Sequence, residues 1–290
     1  MPAKTLAAAR LDAFAATRGP AWSAAAVVLA TLGCNVPGPR APPHATDALR
    51  RSFEVSAPLH SEVSVLVAGD RASMRLILAH GTPGSAAGWV DYLLDPPPGL
   101  EVAALDRPGF GRSAATGAVT SLAAQAAALA ALLPTGGRRA ILLGHSLGGA
   151  IAARVAADHP ARVGALILLA ASLDPALEKI HPLQRIGAWP GVRSLLPRAI
   201  ANANAELLAL PAELEALAAD LPRITAPVVL MHGTRDDLVP VANVTFMQAR
   251  LSGARSVTTL LLDGRNHFLP WNSEAQVRHA IELAREAACC

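Results

Sequence analysis

Three stretches of this chain are apolar almost from end to end: AILLGHS (Ala140–Ser146), ALILLAAS (Ala165–Ser172) and PVVLMHG (Pro227–Gly233). None alternates apolar with polar residues, and each closes in small or turn-forming residues. Short continuous runs of this kind read as strands covered on both faces, which is the pattern of a parallel sheet packed between helices. Five further runs complete a set of eight: FEVSA (Phe53–Ala57), EVSVLVAG (Glu62–Gly69), RLILAHG (Arg75–Gly81), EVAALD (Glu101–Asp106) and TTLLLDG (Thr258–Gly264). Helix-like stretches lie between or after them, among them Ser121–Leu133, Gly149–His159 and Glu274–Ala288. Strands alternating with helices predict an α/β fold with a mostly parallel sheet.

The rhythm breaks once. From about Ser172 to Arg223 there is no good strand, only helical pieces punctuated by proline: Pro175–Pro190, Gly191–Leu210 and Pro211–Leu221. An insertion between two core strands can form a lid over the strand ends. The expected organisation is therefore a core of residues 53–171 and 224–290, a helical cap over 172–223, and a leading segment over 1–52.

That leading segment has a character of its own. Lys4, Arg10 and Arg18 precede an uncharged stretch from Pro20 to Val36, and the linker PGPRAPP follows. A basic part, an apolar part and a small-residue boundary predict export or membrane attachment. The alternative is an alanine-rich N-terminal helix of a cytoplasmic protein. Cys34, after Gly33 at the end of the apolar run, resembles a bacterial lipoprotein processing site and is the candidate for lipidation. Thr31 and Leu32 depart from the residues usual there.

The 290 residues are 52% hydrophobic and 16% charged, which excludes a disordered chain. The formal net charge is +3 and the basic residues are scattered, so no nucleic-acid partner is expected. Three cysteines, two of them adjacent at the C-terminus, make neither a disulfide framework nor a Cys-based zinc site. No metal and no organic cofactor is implied.

Chemistry concentrates at GHSLG (Gly144–Gly148). It fits G-x-S-x-G between a strand and a helix, the context that the motif requires. A serine on so short a corner is forced into a strained backbone, with glycines where side chains would collide. In return its hydroxyl stands exposed beside a helix N-terminus that stabilises negative charge. Ser146 is the candidate nucleophile, and a serine hydroxyl needs a base. Of nine histidines, His267 is the best placed, in a loop between the last strand and the last helix. His80 and His232 end strands and are expected to brace loops. His145 is expected to be turned away by the corner. The base needs an orienting carboxylate. Asp236 is favoured, with Asp237 shaping the turn and Asp174 as the other candidate; Asp263 is expected to belong to the strand end.

Five segments in this order carry a resemblance: HGTPGSAAGW (His80–Trp89), LDRPGFGRS (Leu105–Ser113), GHSLGG (Gly144–Gly149), HGTRDDLVP (His232–Pro240) and NHFLPW (Asn266–Trp271). From about Phe53 to Ala288 the chain resembles the α/β-hydrolase superfamily. The resemblance implies that fold, a cap over 172–223, and an oxyanion hole formed by the backbone N–H groups of Thr82 and Leu147. Asn266 stands where the family usually has glycine. The expected activity is a serine hydrolase that cleaves a carboxylic ester or related acyl bond through an acyl-enzyme. C–C bond hydrolysis or perhydrolase chemistry on the same triad, or a non-catalytic binding module, are the alternatives; Ser146 argues against relatives with an aspartate nucleophile. The leucines, alanines and Trp189 of the cap suggest a small-molecule substrate with an apolar acyl or alcohol group.

Overall fold

A computed structural model of the protein describes residues 38–71, 73–113 and 117–289. Cys34 and the rest of the basic and apolar leading segment lie outside the described residues. Eight strands form one sheet: β1 (Arg50–Val55), β2 (Ser61–Gly69), β3 (Met74–Ala79), β4 (Leu100–Leu105), β5 (Ala140–His145), β6 (Val163–Leu169), β7 (Val228–Gly233) and β8 (Val257–Leu262). Their order is β1-β2-β4-β3-β5-β6-β7-β8. Only β2 runs against its neighbours; from β4 to β8 every pairing is parallel. Each of the eight apolar runs is a strand, and the sheet is mostly parallel, as expected.

Burial explains the composition of the strands. Every residue of β4, β5, β6 and β7 is buried, because helices cover both faces at the centre of the sheet. The edge strands β1 and β8 alternate more freely with exposed positions. Among the described residues nine α-helices accompany the sheet: α1 (Val90–Leu94), α2 (Leu122–Ala130), α3 (Leu147–Asp158), α4 (Pro182–Gly187), α5 (Pro190–Arg193), α6 (Arg198–Ala218), α7 (Asn243–Arg250), α8 (Leu269–Asn272) and α9 (Glu274–Cys289). On one face, α2, α3 and part of α6 build a core rich in alanine and leucine; on the other, α1 and α9 build the second. Val277, Ala280, Ile281, Ala284 and Ala288 form the buried stripe of α9, at the spacing of one helical face. Among the described residues no helix is long and apolar enough to cross a membrane.

Residues 172–223 hold α4, α5 and α6 with short 3-10 turns and no strand. The prolines suggest a break at Pro211, but α6 runs through it to Ala218. Proline there forfeits one backbone hydrogen bond and crowds the preceding turn. Burial of Ala203, Glu206, Leu210, Leu214 and Leu217 along one side of α6 offsets that cost.

The parallel strands open their C-terminal ends on one edge, and α3 starts there directly from β5. Small residues let α3 sit close: a Cβ on Gly148 would lie 2.4 Å from the Ala79 carbonyl oxygen, and one on Gly149 would lie 2.4 Å from Ala171 Cβ. Gly148→Ala therefore pushes α3 against the end of β3. We expect a loss of about 2 kcal/mol or more in urea unfolding. Gly191→Ala, whose added methyl meets nothing within 4 Å, is expected to stay within about 0.5 kcal/mol of wild type.

Candidate active site

Ser146 sits between β5 and α3 with φ 57° and ψ −129°. This sparsely populated conformation costs on the order of 1–3 kcal/mol and persists only where the surroundings hold it. They do so from three sides. A Cβ on Gly144 would lie 2.2 Å from the Gly148 carbonyl oxygen, and one on Gly81 would lie 2.9 Å from Ser146 Cβ. The Ser146 N–H donates to the Leu169 carbonyl at 3.0 Å, and the Ser146 carbonyl accepts from the Gly149 N–H at 2.8 Å. Pinned in this way, the Ser146 side chain lines a cavity at the sheet edge.

His267 lines the same cavity. Its Nδ1 is 2.7 Å from Asp236 Oδ2, and both side chains are buried. Glycine permits the approach of their loops: a Cβ on Gly233 would lie 2.3 Å from the Arg265 carbonyl oxygen. Asp236 Oδ1 accepts from the N–H groups of Leu238 and Val239 at 3.0 and 2.8 Å, so Asp236 caps the turn expected of Asp237. Asp237 is exposed. Asp174 caps the Ala176 N–H at 3.0 Å instead of facing His267. Asp263 accepts from the Thr234 hydroxyl at 3.1 Å. Burial alone pushes the Asp236 carboxyl up. Hydrogen bonds from His232 and His267 outweigh it and hold the group well below the ordinary carboxylate range. The His267 ring, hydrogen-bonded to Asp236, shares the cavity wall with Ser146.

The other histidines brace this pair. His232 Nε2–H donates to the Val239 carbonyl at 2.9 Å and lies 3.4 Å from Asp236 Oδ2. His145 is not turned away from the cavity, as the tight corner suggests. It lines the cavity, and its Nε2–H donates to the His267 carbonyl at 3.0 Å. The two rings lie 4.7 Å apart. Asn266 accepts from the Phe268 N–H at 3.1 Å and from Asn272 at 2.5 Å. The side chain replacing the usual glycine thus ties the histidine loop to α8.

Thr82 and Ser146 also share the cavity wall. The N–H groups of Thr82 and of Leu147, the first residue of α3, donate to no other described residue. Behind Thr82 is a buried cluster whose parts are far apart in sequence. The Arg107 guanidinium grips the Glu206 carboxylate at 2.7 and 3.1 Å and donates to Gln125 at 2.5 Å and to the Gly81 carbonyl at 3.0 Å. The Thr82 hydroxyl donates to Glu206 at 2.5 Å. His80 accepts the Arg107 N–H on Nε2 at 3.1 Å and donates from Nδ1 to the Gly81 carbonyl at 2.7 Å. Glu206 belongs to α6, so this cluster fastens the inserted helices to the loop that carries Thr82. Removing one partner of such a pair leaves a buried uncompensated charge, at roughly 3–5 kcal/mol. Sequence reasoning passes over Glu206. Its signal is a single carboxylate at a position facing inward on an otherwise uncharged turn of helix.

The cavity has a volume of about 300 Å³. Pro39, Pro83, Trp89, Phe268 and Trp271 supply apolar wall. No residue of 172–223 lines it, and Trp189 is 63% exposed. The apolar lining expected from the cap comes instead from the segments after β3 and β8. From this segment Glu206, Asn202 and Leu210 are buried, Glu206 against Thr82 and Asn202 against the Gly109 carbonyl.

A model of the α/β hydrolase fold matches residues 75–209. A pimeloyl-[acyl-carrier protein] methyl ester esterase from Aeromonas hydrophila subsp. hydrophila is 29% identical over 218 residues, 63% of this chain and 85% of that protein. A thermophilic esterase from Thermogutta terrifontis superposes with a TM-score of 0.64 at 21% identity, covering 82% of this chain and 99% of that one. A 2-hydroxy-6-oxo-6-phenylhexa-2,4-dienoate hydrolase from a Rhodococcus species gives 0.62 at 21% identity, with 81% and 98% covered. The chain has the α/β-hydrolase fold.

The buried histidines set a pH dependence. Burial, with the neighbouring His267 ring, lowers the His145 pKa to about 3. Burial and Arg107 hold His80 well below its ordinary value. Both stay neutral in the fold but protonate near 6.5 once unfolded. Between those limits the unfolded chain binds more protons. Their contribution to stability is therefore complete above about pH 6.5 and falls as pH drops, by up to ~1.4 kcal/mol per pH unit for each ring. Urea midpoints at pH 7, 6 and 5 should decline, and His145→Gln should make the decline shallower. An unchanged slope in that variant would contradict this assignment.

Proposed function

We propose that the protein is a serine hydrolase that cleaves a carboxylic ester or a related acyl bond through an acyl-enzyme. The observation that carries the reading is the Asp236–His267 hydrogen bond of 2.7 Å beside a cavity whose wall includes the strained Ser146. The relative from Aeromonas, by its name a methyl ester esterase, supports ester chemistry. The apolar wall and the volume of about 300 Å³ favour a compact apolar group next to the acyl carbon.

In this reading His267 Nε2 takes the proton of Ser146, and Oγ attacks the acyl carbon. Asp236 holds the Nδ1–H tautomer and stabilises the imidazolium. The oxyanion rests on the N–H groups of Thr82 and Leu147, and the dipole of α3 adds to them. The C–O bond then breaks and His267 gives its proton to the departing alcohol. Water, deprotonated by His267, attacks the acyl-enzyme, and the acid leaves as Ser146 regains its proton.

Ser146→Ala is expected to lose labelling by a fluorophosphonate probe and to cut kcat on short-chain chromogenic esters by about 10⁴-fold or more. Asp236→Asn should lower kcat by at least about a hundredfold, whereas Asp174→Asn and Asp237→Asn should turn over normally. Full activity of Ser146→Ala would end this reading. A crippled Asp174→Asn beside a normal Asp236→Asn would overturn only the acid.

The leading segment fits the same picture. We infer that residues 1–36 carry the protein to or across a membrane, with Cys34 the residue that would be lipidated. Pro39 lines the cavity, and Arg40 is bound to Asp91 and Glu274, so a tether on this segment would hold the cavity mouth near the bilayer. Fractionation of producing cells should leave the full chain with membranes after a high-salt wash that releases Cys34→Ser. Soluble full-length protein in the cytoplasm would refute the tether.

A further inference from the structure

Large apolar side chains scattered singly over a surface mean little. Here four of the seven exposed ones on the described surface, Leu183, Ile186, Trp189 and Leu195, fall within one stretch of the cap. Trp189 and Leu195 are 63% and 73% exposed. The short helix α4 turns its backbone towards α6, where Asn204 donates to the Gln184 carbonyl at 2.9 Å. Leu183 and Ile186, one turn apart, are left facing solvent.

The same surface is basic. Residues 179–205 include Lys179, Arg185, Arg193 and Arg198, with no Asp or Glu among them. All four cations are exposed. None has a carboxylate partner among the described residues. The carboxylates at the base of this stretch are occupied: Asp174 caps the Ala176 N–H, and Glu178 accepts from the Ser172 hydroxyl.

We propose that this face of the cap docks on an anionic lipid surface. Trp189 suits the headgroup boundary, and Leu183, Ile186 and Leu195 suit the first layer of acyl chain below it. Lys and Arg side chains at the margin reach lipid phosphates while their stems lie along apolar surface. Charge separates this occupant from a second copy of the chain. A two-fold contact would set the same four cations against themselves with no acid between them. The contact is independent of the ester chemistry and of residues 1–37.

The test uses the full chain carrying Trp22→Phe, so that no tryptophan of the leading segment reports. Vesicles contain brominated phosphatidylcholine alone or brominated phosphatidylcholine with brominated phosphatidylglycerol, and a bromine on the acyl chain quenches a tryptophan only in contact. Quenching is expected on the anionic vesicles and should vanish when Trp189→Phe is added. Arg185→Gln and Arg193→Gln should each raise the lipid concentration at half-quenching about fivefold, and raised salt should act in the same direction. These residues are exposed, so melting temperatures should not move. Absence of Trp189-dependent quenching would overturn the proposal. So would equal quenching of Trp189 on neutral brominated vesicles. If instead Trp189→Asp converts a dimer to a monomer in sedimentation without lipid, the face is a self-association surface and the proposal fails.

Discussion

The corner at Ser146 governs the architecture around it. A residue at φ 57° and ψ −129° has no intrinsic stability. It is retained because β5, β6 and α3 close on it, and they can close only where side chains are absent. The glycines at 81, 144, 148 and 149 fill that condition: an added Cβ would lie within 2.9 Å of a neighbour in every case. The same crowding brings the N-terminus of α3, with its positive dipole end, to the sheet edge beside the cavity wall at Ser146. Strain in one residue is thus offset by the packing of an entire buried helix, in which ten of twelve residues are buried.

A second constraint acts from behind. Arg107 and Glu206 are each 1% exposed, and two charges out of water are tolerable only if every donor and acceptor is met. Gln125, Thr82 and Gly81 complete the set. The ion pair adds little net stability, but it fixes where α6 sits relative to the Thr82 loop. The Thr82 side of the cavity and the position of α6 are therefore held together through Glu206, although no residue of 172–223 lines the cavity. One helix faces inward through a carboxylate, while the short helices before it turn apolar and basic residues outward.

The histidines show how environment sorts one residue type into different tasks. His145 and His80 are buried, held neutral, and spend their ring nitrogens on backbone carbonyls and amides. His232 shares its proton between Val239 and Asp236. Only His267 combines a carboxylate on one nitrogen with a place in the cavity wall. Asp236, gripped by two rings and two backbone amides, stays ionised despite its burial.

Much of this was legible in the sequence, for physical reasons that are local. Strands buried on both faces must be apolar throughout, so β5, β6 and β7 announce themselves. A G-x-S-x-G corner needs its glycines within two residues of the serine, so the elbow does too. Chain order then leaves His267 on the right edge of a parallel sheet. What the tertiary structure alone decided depends on contacts between distant residues. Asp236 and Asp237 are adjacent and equivalent on paper; the two amides of Leu238 and Val239 and the approach of the 265–267 loop select Asp236. Pro211 reads as a stop, and only burial along α6 carries the helix through it. Glu206 meets Thr82 across 124 positions and Arg107 across 99, a pairing no local pattern encodes. The cavity wall, too, is assembled from residues as remote as Pro39 and Trp271, because a concave surface belongs to the packed fold and to no single stretch of chain.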